Sequence, residues 1–476
     1  MSNTVITAAS SEPLTAADIV GFFRRAERPD PATHKVGTEQ EKFGVALEAS
    51  PGEPGPVDFH RHITPVLTAF AEEFGWRPTS DRGVSGEIIA LERDGASITL
   101  EPGGQFELSG APLPNIHATC AEFTTHYREL HSVSTRLGLA WLAAGFHPFA
   151  TREEIRWVPK GRYAVMRAHL PTRGSRGLDM MLRTCTVQAN FDYASEQQAG
   201  ERLRMAMAIS GLTTAIFANS PYREGADSGL SSLRSDSWTD VDNARCGLLP
   251  FVFDGPFSYE RYAAWALAVP MFFVRRGDTF VPCHLPFKDY MQQGFVDADG
   301  TRHTATKGDW ELHLSTLFPE IRLKPYLEVR GSDSVGSRYV CALPALWKGV
   351  LYDADAGQAA WELVRELEFG ERLALWAECR EAGMRSPRVH RLSKALIAIA
   401  RQGLDRQDVR DSKGRTEARF LDAIEDVVAS GKSPADLARA ALGANPGRDA
   451  AARRAFVRHF HFAGAGLEDV AADPDA

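Results

Sequence analysis

The 476-residue sequence is short of cysteine, of excess positive charge and of long apolar runs. Its six cysteines, Cys120, Cys185, Cys246, Cys283, Cys341 and Cys379, are scattered with no CxxC. That spacing indicates neither a cysteine zinc centre nor a secreted disulfide framework. A net charge of -8 and a pI near 6.0 leave no basic footprint, so nucleic acid is not an expected partner. The longest apolar run, Ala263 to Val274, is interrupted by Pro270, and the first residues lack the basic start and apolar stretch of a secretory signal. A cytosolic (cytoplasmic) protein with no membrane partner is therefore expected. There is no Walker A loop, no dinucleotide GxGxxG and no GxSxG elbow. Gly464 and Gly466 form a lone GxG without strand–turn–helix context and read as a loop. His60/His62 and His459/His461 come without further ligand spacing and read as surface or core histidines.

What is present suffices for a large core: 44% of the residues are hydrophobic, which excludes global disorder. Thr15 and Asp18 stand in capping-box spacing and predict a helix over Thr15 to Ala26. From there to about Tyr352, short β-like runs alternate with helical segments such as Cys120 to Leu137 and Glu201 to Phe217. The strands have one apolar face, which favours antiparallel or mixed sheet over a buried parallel one. After Asp353 the composition turns to Ala, Leu, Glu and Arg, with helical spacing over Gln358 to Arg380, Pro387 to Gly403 and Thr416 to Ala441. The expected fold class is α+β, with a core over residues 1–352 and a helical C-terminal region, 353–476, packed on it.

The chemistry lies in three strand-like runs. LKPYLEVRGSD places Glu328 and Arg330 on one face and Leu327 and Val329 on the other. GTEQEKFGV puts Glu39 and Glu41 on one face together with Phe43 and Val45, and LEPGGQFEL carries Glu101 and Glu107 across a Pro-Gly-Gly turn. Carboxylates are rarely buried unless paired or holding a metal, so these runs suggest a sheet face built around hard cations. A wet antiparallel face gives the same alternation, and for any single glutamate that plainer reading stands.

GTEQEKFG, ITLEPGGQFELSGAPL, PKGRYAVM, GLDMMLRTCTVQANFDYASE, LRSDSWTD, DWELHLSTLFPEIRLKPYLEVRGSD and CALPALWKGVLYD, in this order, resemble the glutamate–cysteine ligase family of the plant and proteobacterial type. The resemblance runs from about Lys35 to Asp353. It implies a glutamine-synthetase-like curved, largely antiparallel sheet flanked by helices, with residues 1–352 as the catalytic unit. It further implies ATP-dependent ligation of the glutamate γ-carboxylate to the cysteine amine, with Mg²⁺ as cofactor and ATP as co-substrate. The partners expected are glutamate, cysteine and ATP; a homodimer is admitted, though no residue pattern specifies one.

On the family motifs, Glu39, Glu41, Glu101, Glu107 and Glu328 are metal candidates. Arg162, Arg234 and Trp238 match positions used for glutamate, and Gln188 is a further ligand or hydrogen-bond candidate. Glu328 and Arg330 are the catalytic candidates, with a structural ion pair between them as the competing reading. Cys120 and Cys341 match one regulatory disulfide of plant members; Cys283 matches half of a second, whose partner region, Gly294 to Gly300, holds no cysteine. Two other readings stay open: a γ-glutamyl ligase with another amine acceptor or thiol pathway, and a glutamate- or nucleotide-binding regulator without catalysis.

Overall fold

The computed structural model describes residues 10–463. The Gly464/Gly466 pair lies outside them. The centre is a ten-stranded antiparallel sheet. Its strands are β1 (Val36–Ser50), β2 (Glu53–Pro56), β3 (Arg77–Pro78), β4 (Leu91–Arg93), β5 (Ala96–Leu100), β6 (Phe106–Ser109), β7 (Leu139–Leu142), β8 (Thr186–Phe191), β9 (Ile321–Leu323) and β10 (Leu327–Asp333). They run in the order β9–β10–β8–β1–β6–β5–β4–β3, and β1 is long enough to do double duty. Its first half pairs with β6 and β8, and its second half pairs with β2 and β7.

Alternation decides which face is apolar. Ile98, Leu108, Val187, Ala189, Leu327 and Val329 are all buried and lie on one side of the sheet. Helices close over this layer. Helix α1 (Ile116–Leu137) begins at the Asn115 cap and ends at Gly138, whose φ of 65° terminates the helix in a left-handed residue. Helix α2 (Glu196–Ile216) is buried over most of its length and packs on β10. Helix α3 (Ala342–Leu351) packs on β8 and is crossed by the long helix Pro387–Gln407. At that crossing the backbones nearly touch: a Cβ on Gly403 would lie 2.0 Å from the Gly349 carbonyl oxygen.

The predicted first helix forms as Ala16–Arg24, and the Asp18 carboxylate accepts from the Thr15 N–H at 3.0 Å and hydroxyl at 2.6 Å. The C-terminal helices are shorter than their apolar spacing implied. Gln358 to Arg380 divides into Ala354–Glu362 and α4 (Phe369–Glu381), because Glu368 and Glu371 form a capping box that starts a new helix. Thr416 to Ala441 divides into Glu417–Leu421, Asp422–Ser430 and Pro434–Leu442, interrupted where Gly431 takes a φ of 64° and Ser433 caps the next helix. The chain then returns to the sheet: Phe462 N–H donates to Trp141 O at 2.9 Å, and Phe456 and Phe460 join Phe43 and Val45 in a second apolar cluster.

Candidate active site

The other face of the sheet is polar and buried. In register, Glu41 of β1 stands opposite Glu107 of β6, and Glu39 stands between Ser109 of β6 and Gln188 of β8. Directly opposed side chains in such a ladder are about 5 Å apart at Cβ, so like charges there cost free energy. Glu101 follows the end of β5 and is folded back toward Glu107 by a tight turn. Gly104 takes a φ of 81°, and a Cβ there would lie 2.6 Å from Ile63 Cδ1.

Burial, then the neighbouring carboxylates Glu39, Glu101 and Glu41, push the Glu107 carboxyl well above the usual range. Burial and Glu41 raise Glu101 in the same sense. Neutral donors also line this half: Thr99 Oγ1 donates to Glu107 at 2.6 Å, Thr186 N–H to Glu41 at 3.0 Å and Asn190 Nδ2 to Glu39 at 2.8 Å. Arg162, its guanidinium 5.1 Å from the Tyr163 ring centroid, brings positive charge toward Glu101. Beside it, Lys160 Nζ donates to Leu100 O at 2.9 Å, and burial followed by Arg162 pulls its amine down to about 8.

Two strands away the balance reverses. Arg322 of β9 lies opposite Glu328 of β10 and clasps both its oxygens, at 2.7 and 2.9 Å. Arg330 Nη1 reaches Glu328 at 2.7 Å and Gln188 Oε1 at 2.8 Å, and Lys324 Nζ stands 3.5 Å from Glu328. Burial alone would raise the Glu328 carboxyl, but Arg322, Lys324 and Arg330 together hold it well below the usual range. Both its oxygens are taken by cations, which makes it the anchor of Arg330. Arg234 completes this half by donating from Nη2 to Arg330 O at 2.9 Å, and Trp238 packs edge-on to Phe318.

The sheet thus brings Glu39, Glu41, Glu101, Glu107 and Gln188 onto one surface with Glu328 and Arg330. Arg162 flanks its acidic side, and Arg234 and Trp238 flank its basic side. Among the described residues, no three His, Cys, Asp or Glu side chains are drawn together tightly enough to hold an ion on their own. A cavity of about 600 Å³ opens over the same face, with Gly37, Glu39, Ser97, Ser109 and Asn190 in its lining and Arg28 and Lys35 beside them.

Arg322 and Lys324 were not anticipated as site residues. Their two-residue spacing in IRLK is the same alternation that marked Glu328 and Arg330, but their role depends on a pairing between strands. Lys42 was also missed. It lies on the far face of β1, fully buried, 3.2 Å from Gln40 Oε1, which also accepts from Tyr127 OH at 2.6 Å. Burial pulls the Lys42 amine down to about 7. Near this seam the fold brings Cys120 and Cys341 together, their Sγ atoms 2.7 Å apart across 221 positions of sequence. The Cys341 thiol donates to Cys120, which lowers the Cys120 thiol and raises that of Cys341.

The model of glutamate–cysteine ligase family 2 matches residues 35–457. The chain belongs to this family. A glutamate–cysteine ligase B, chloroplastic, of Oryza sativa subsp. japonica is 41% identical over 431 residues, covering 90% of this chain and 84% of the relative. The chloroplastic glutamate–cysteine ligase of Arabidopsis thaliana is 40% identical over 432 residues, covering 90% of this chain and 80% of the relative. A glutamate–cysteine ligase of Francisella tularensis solved in complex with AMP has the same fold: TM-score 0.51, 12% identity, 94% of this chain and 96% of that one covered.

Membership of the ligase family explains why the matched run extends through the C-terminal helices, beyond the Asp353 limit of the sequence motifs. It also overturns one expectation. The relatives from Oryza, Arabidopsis and Brassica are all named chloroplastic, which contradicts the cytosolic reading. The absence of a secretory signal speaks only to the secretory route and never selected among the remaining compartments. Among the described residues, no helix is long and apolar enough to cross a membrane.

Proposed function

We propose that this protein is an ATP-dependent glutamate–cysteine ligase. The observation that carries the reading is one buried sheet face on which crowded carboxylates lie beside clasped arginines. An oxygen of the glutamate γ-carboxylate attacks the γ-phosphorus of ATP, and ADP leaves. The cysteine amine then attacks the carbonyl carbon of the γ-glutamyl phosphate, loses a proton, and phosphate departs. Both steps move spread negative charge, so catalysis consists of positioning and electrostatic stabilisation.

Arg330, fixed by Glu328 and Gln188, is assigned to the transferring phosphoryl oxygens. Arg162, Arg234, Gln188 and Trp238 are assigned to substrate. In support, Arg162 Nε, Gln188 Nε2 and Trp238 Nε1 are buried donors with no partner among the described residues, and interior donors nearly always have one. A substrate carboxylate would supply it. Mg²⁺ fits the acidic half by donor chemistry. It takes hard oxygen ligands and is held by one or two carboxylates together with substrate phosphates, so a closed protein cage is not required. Glu39, Glu41, Glu101 and Glu107 are the residues that would hold it; when bound, it neutralises phosphate charge. Cys120 and Cys341 are assigned as a reversible disulfide, and peptide mapping after mild oxidation tests whether the linked pair forms.

The test of the activity is incubation of the purified protein with ATP, Mg²⁺, glutamate and a panel of amines, with products identified by mass spectrometry. Release of ADP with γ-glutamylcysteine as the main product is expected. A different preferred amine replaces the acceptor, and nucleotide binding without turnover on any amine replaces the enzyme with a regulator.

A further inference from the structure

Glu320 lies in the short link between Phe318–Pro319 and β9, only 7% exposed. Its Oε2 has no hydrogen-bond partner among the described residues. The backbone fixes it from both sides, with Glu320 N–H donating to Gly247 O at 3.1 Å and Arg330 N–H donating to Glu320 O at 3.2 Å. Room for the carboxylate depends on Gly331. A Cβ at that position would lie 2.4 Å from Glu320 Oε2.

Burial pushes this carboxyl above the ordinary value, while the charges of Arg234, Arg330 and Arg380 act on it in the opposite sense. Arg380 comes from α4, in the helical C-terminal region. Its guanidinium stacks 5.0 Å from the Trp376 ring and approaches Asp236 at 3.6 Å, yet Nε and Nη1 make no hydrogen bond among the described residues. Trp376 also acts on the Glu320 carboxylate, and Ser235 Oγ and Trp238 Nε1, close to Arg234 in sequence, are buried without partners among the described residues. A group of buried polar atoms without partners among the described residues therefore gathers beside Arg234, one of the two arginines assigned to substrate.

We propose that Glu320 and Arg380 are a positioning pair that orients Arg234 for the substrate carboxylate, making α4 part of the glutamate-recognition apparatus. With Asp333 and Glu41, Glu320 supplies the negative field in which the Arg234 guanidinium sits, while Nη2 donates to Arg330 O at 2.9 Å. Arg380 balances the charge of Glu320, so that Arg234 keeps enough positive potential to bind an anion. Neither residue need touch the reacting atoms. The inference rests on the reading of Arg234 as a glutamate-binding residue.

The test uses the full-length enzyme and the variants Glu320→Gln, Glu320→Asp, Arg380→Gln and the double variant Glu320→Gln/Arg380→Gln. For each, kcat and the KM for glutamate, ATP and cysteine are measured beside the thermal midpoint. The expected result for Glu320→Gln and Arg380→Gln is a glutamate KM raised roughly tenfold, with ATP KM within about twofold and kcat changed far less. Glu320→Asp recovers part of the loss, and the double variant is no worse than the worse single one. A glutamate KM that stays unchanged in both folded single variants overturns the pair. So does an equal loss toward all three substrates, or a double variant whose losses multiply. Failure of the wild-type enzyme to consume glutamate overturns instead the functional reading on which the pair depends.

Discussion

Glu107 and Glu328 are the same residue type, both fully buried on the same face of one sheet, yet their carboxyls are driven in opposite directions. Around Glu107 the neighbours that count are Glu39, Glu101 and Glu41; around Glu328 they are Arg322, Lys324 and Arg330. Burial penalises both charges equally in kind, so the partner strand decides the outcome. The acidic half is suited to cations arriving with a nucleotide. The basic half already carries its own cations, and these are suited to an anionic substrate. A face divided this way can hold a metal–phosphate complex and a carboxylate side by side.

The largest expected effect comes from breaking the basic half. Arg322→Met leaves a buried carboxylate without its bidentate partner, and removal of one member of a buried ion pair costs about 3–5 kcal/mol. Urea unfolding should show a loss of that size; a loss under about 1 kcal/mol would mean that Lys324 and Arg330 suffice. Next comes the acidic half. Glu41→Gln removes charge and little volume, so the fold should survive while turnover falls at least about a hundredfold. Circular dichroism and steady-state kinetics on one preparation check both parts, and near-normal turnover would remove Glu41 from the site.

The smallest effect is expected on the far face of β1, where Lys42 is buried with its amine near 7 against an ordinary value of 10.5. Below about 7 the amine is charged in both folded and unfolded chains, and the full cost of burying it is present. As pH rises from there toward 10.5, the folded chain carries fewer protons than the unfolded one, so the cost fades and stability increases. Lys42→Met should therefore stabilise the protein by about 1–3 kcal/mol at pH 6 and by clearly less at pH 9. Equal gains at both values would show that packing, and not charge, sets the difference.

Strand alternation was enough to put Glu39 and Glu41 on one face, because a two-residue period survives in a single sequence; that Glu101 and Glu107 share a site with them was expected through the family resemblance. Alternation could not show that Arg322 lies opposite Glu328, since register between strands depends on the whole fold. For the same reason Lys42 went unnoticed between Glu41 and Phe43, and Arg380 was hidden inside a run of helical spacing. Apolar periodicity continued through the Glu368 and Ser433 caps, so the helix breaks there were not legible as gaps in the pattern. The contact between Cys120 and Cys341 was expected only through resemblance, and no feature of spacing could bring residues so far apart into contact.

The division of labour between the two halves is tested most directly by measuring γ-glutamyl product formation against Mg²⁺ and against glutamate in wild type, Glu107→Gln and Arg234→Lys. The acidic-half variant should need more Mg²⁺ while its glutamate requirement stays close to wild type. Arg234→Lys keeps the charge but loses the bidentate fork, so it should need more glutamate at an unchanged Mg²⁺ requirement. Parallel shifts in both requirements for both variants would contradict a face split into a cation-binding half and an anion-binding half.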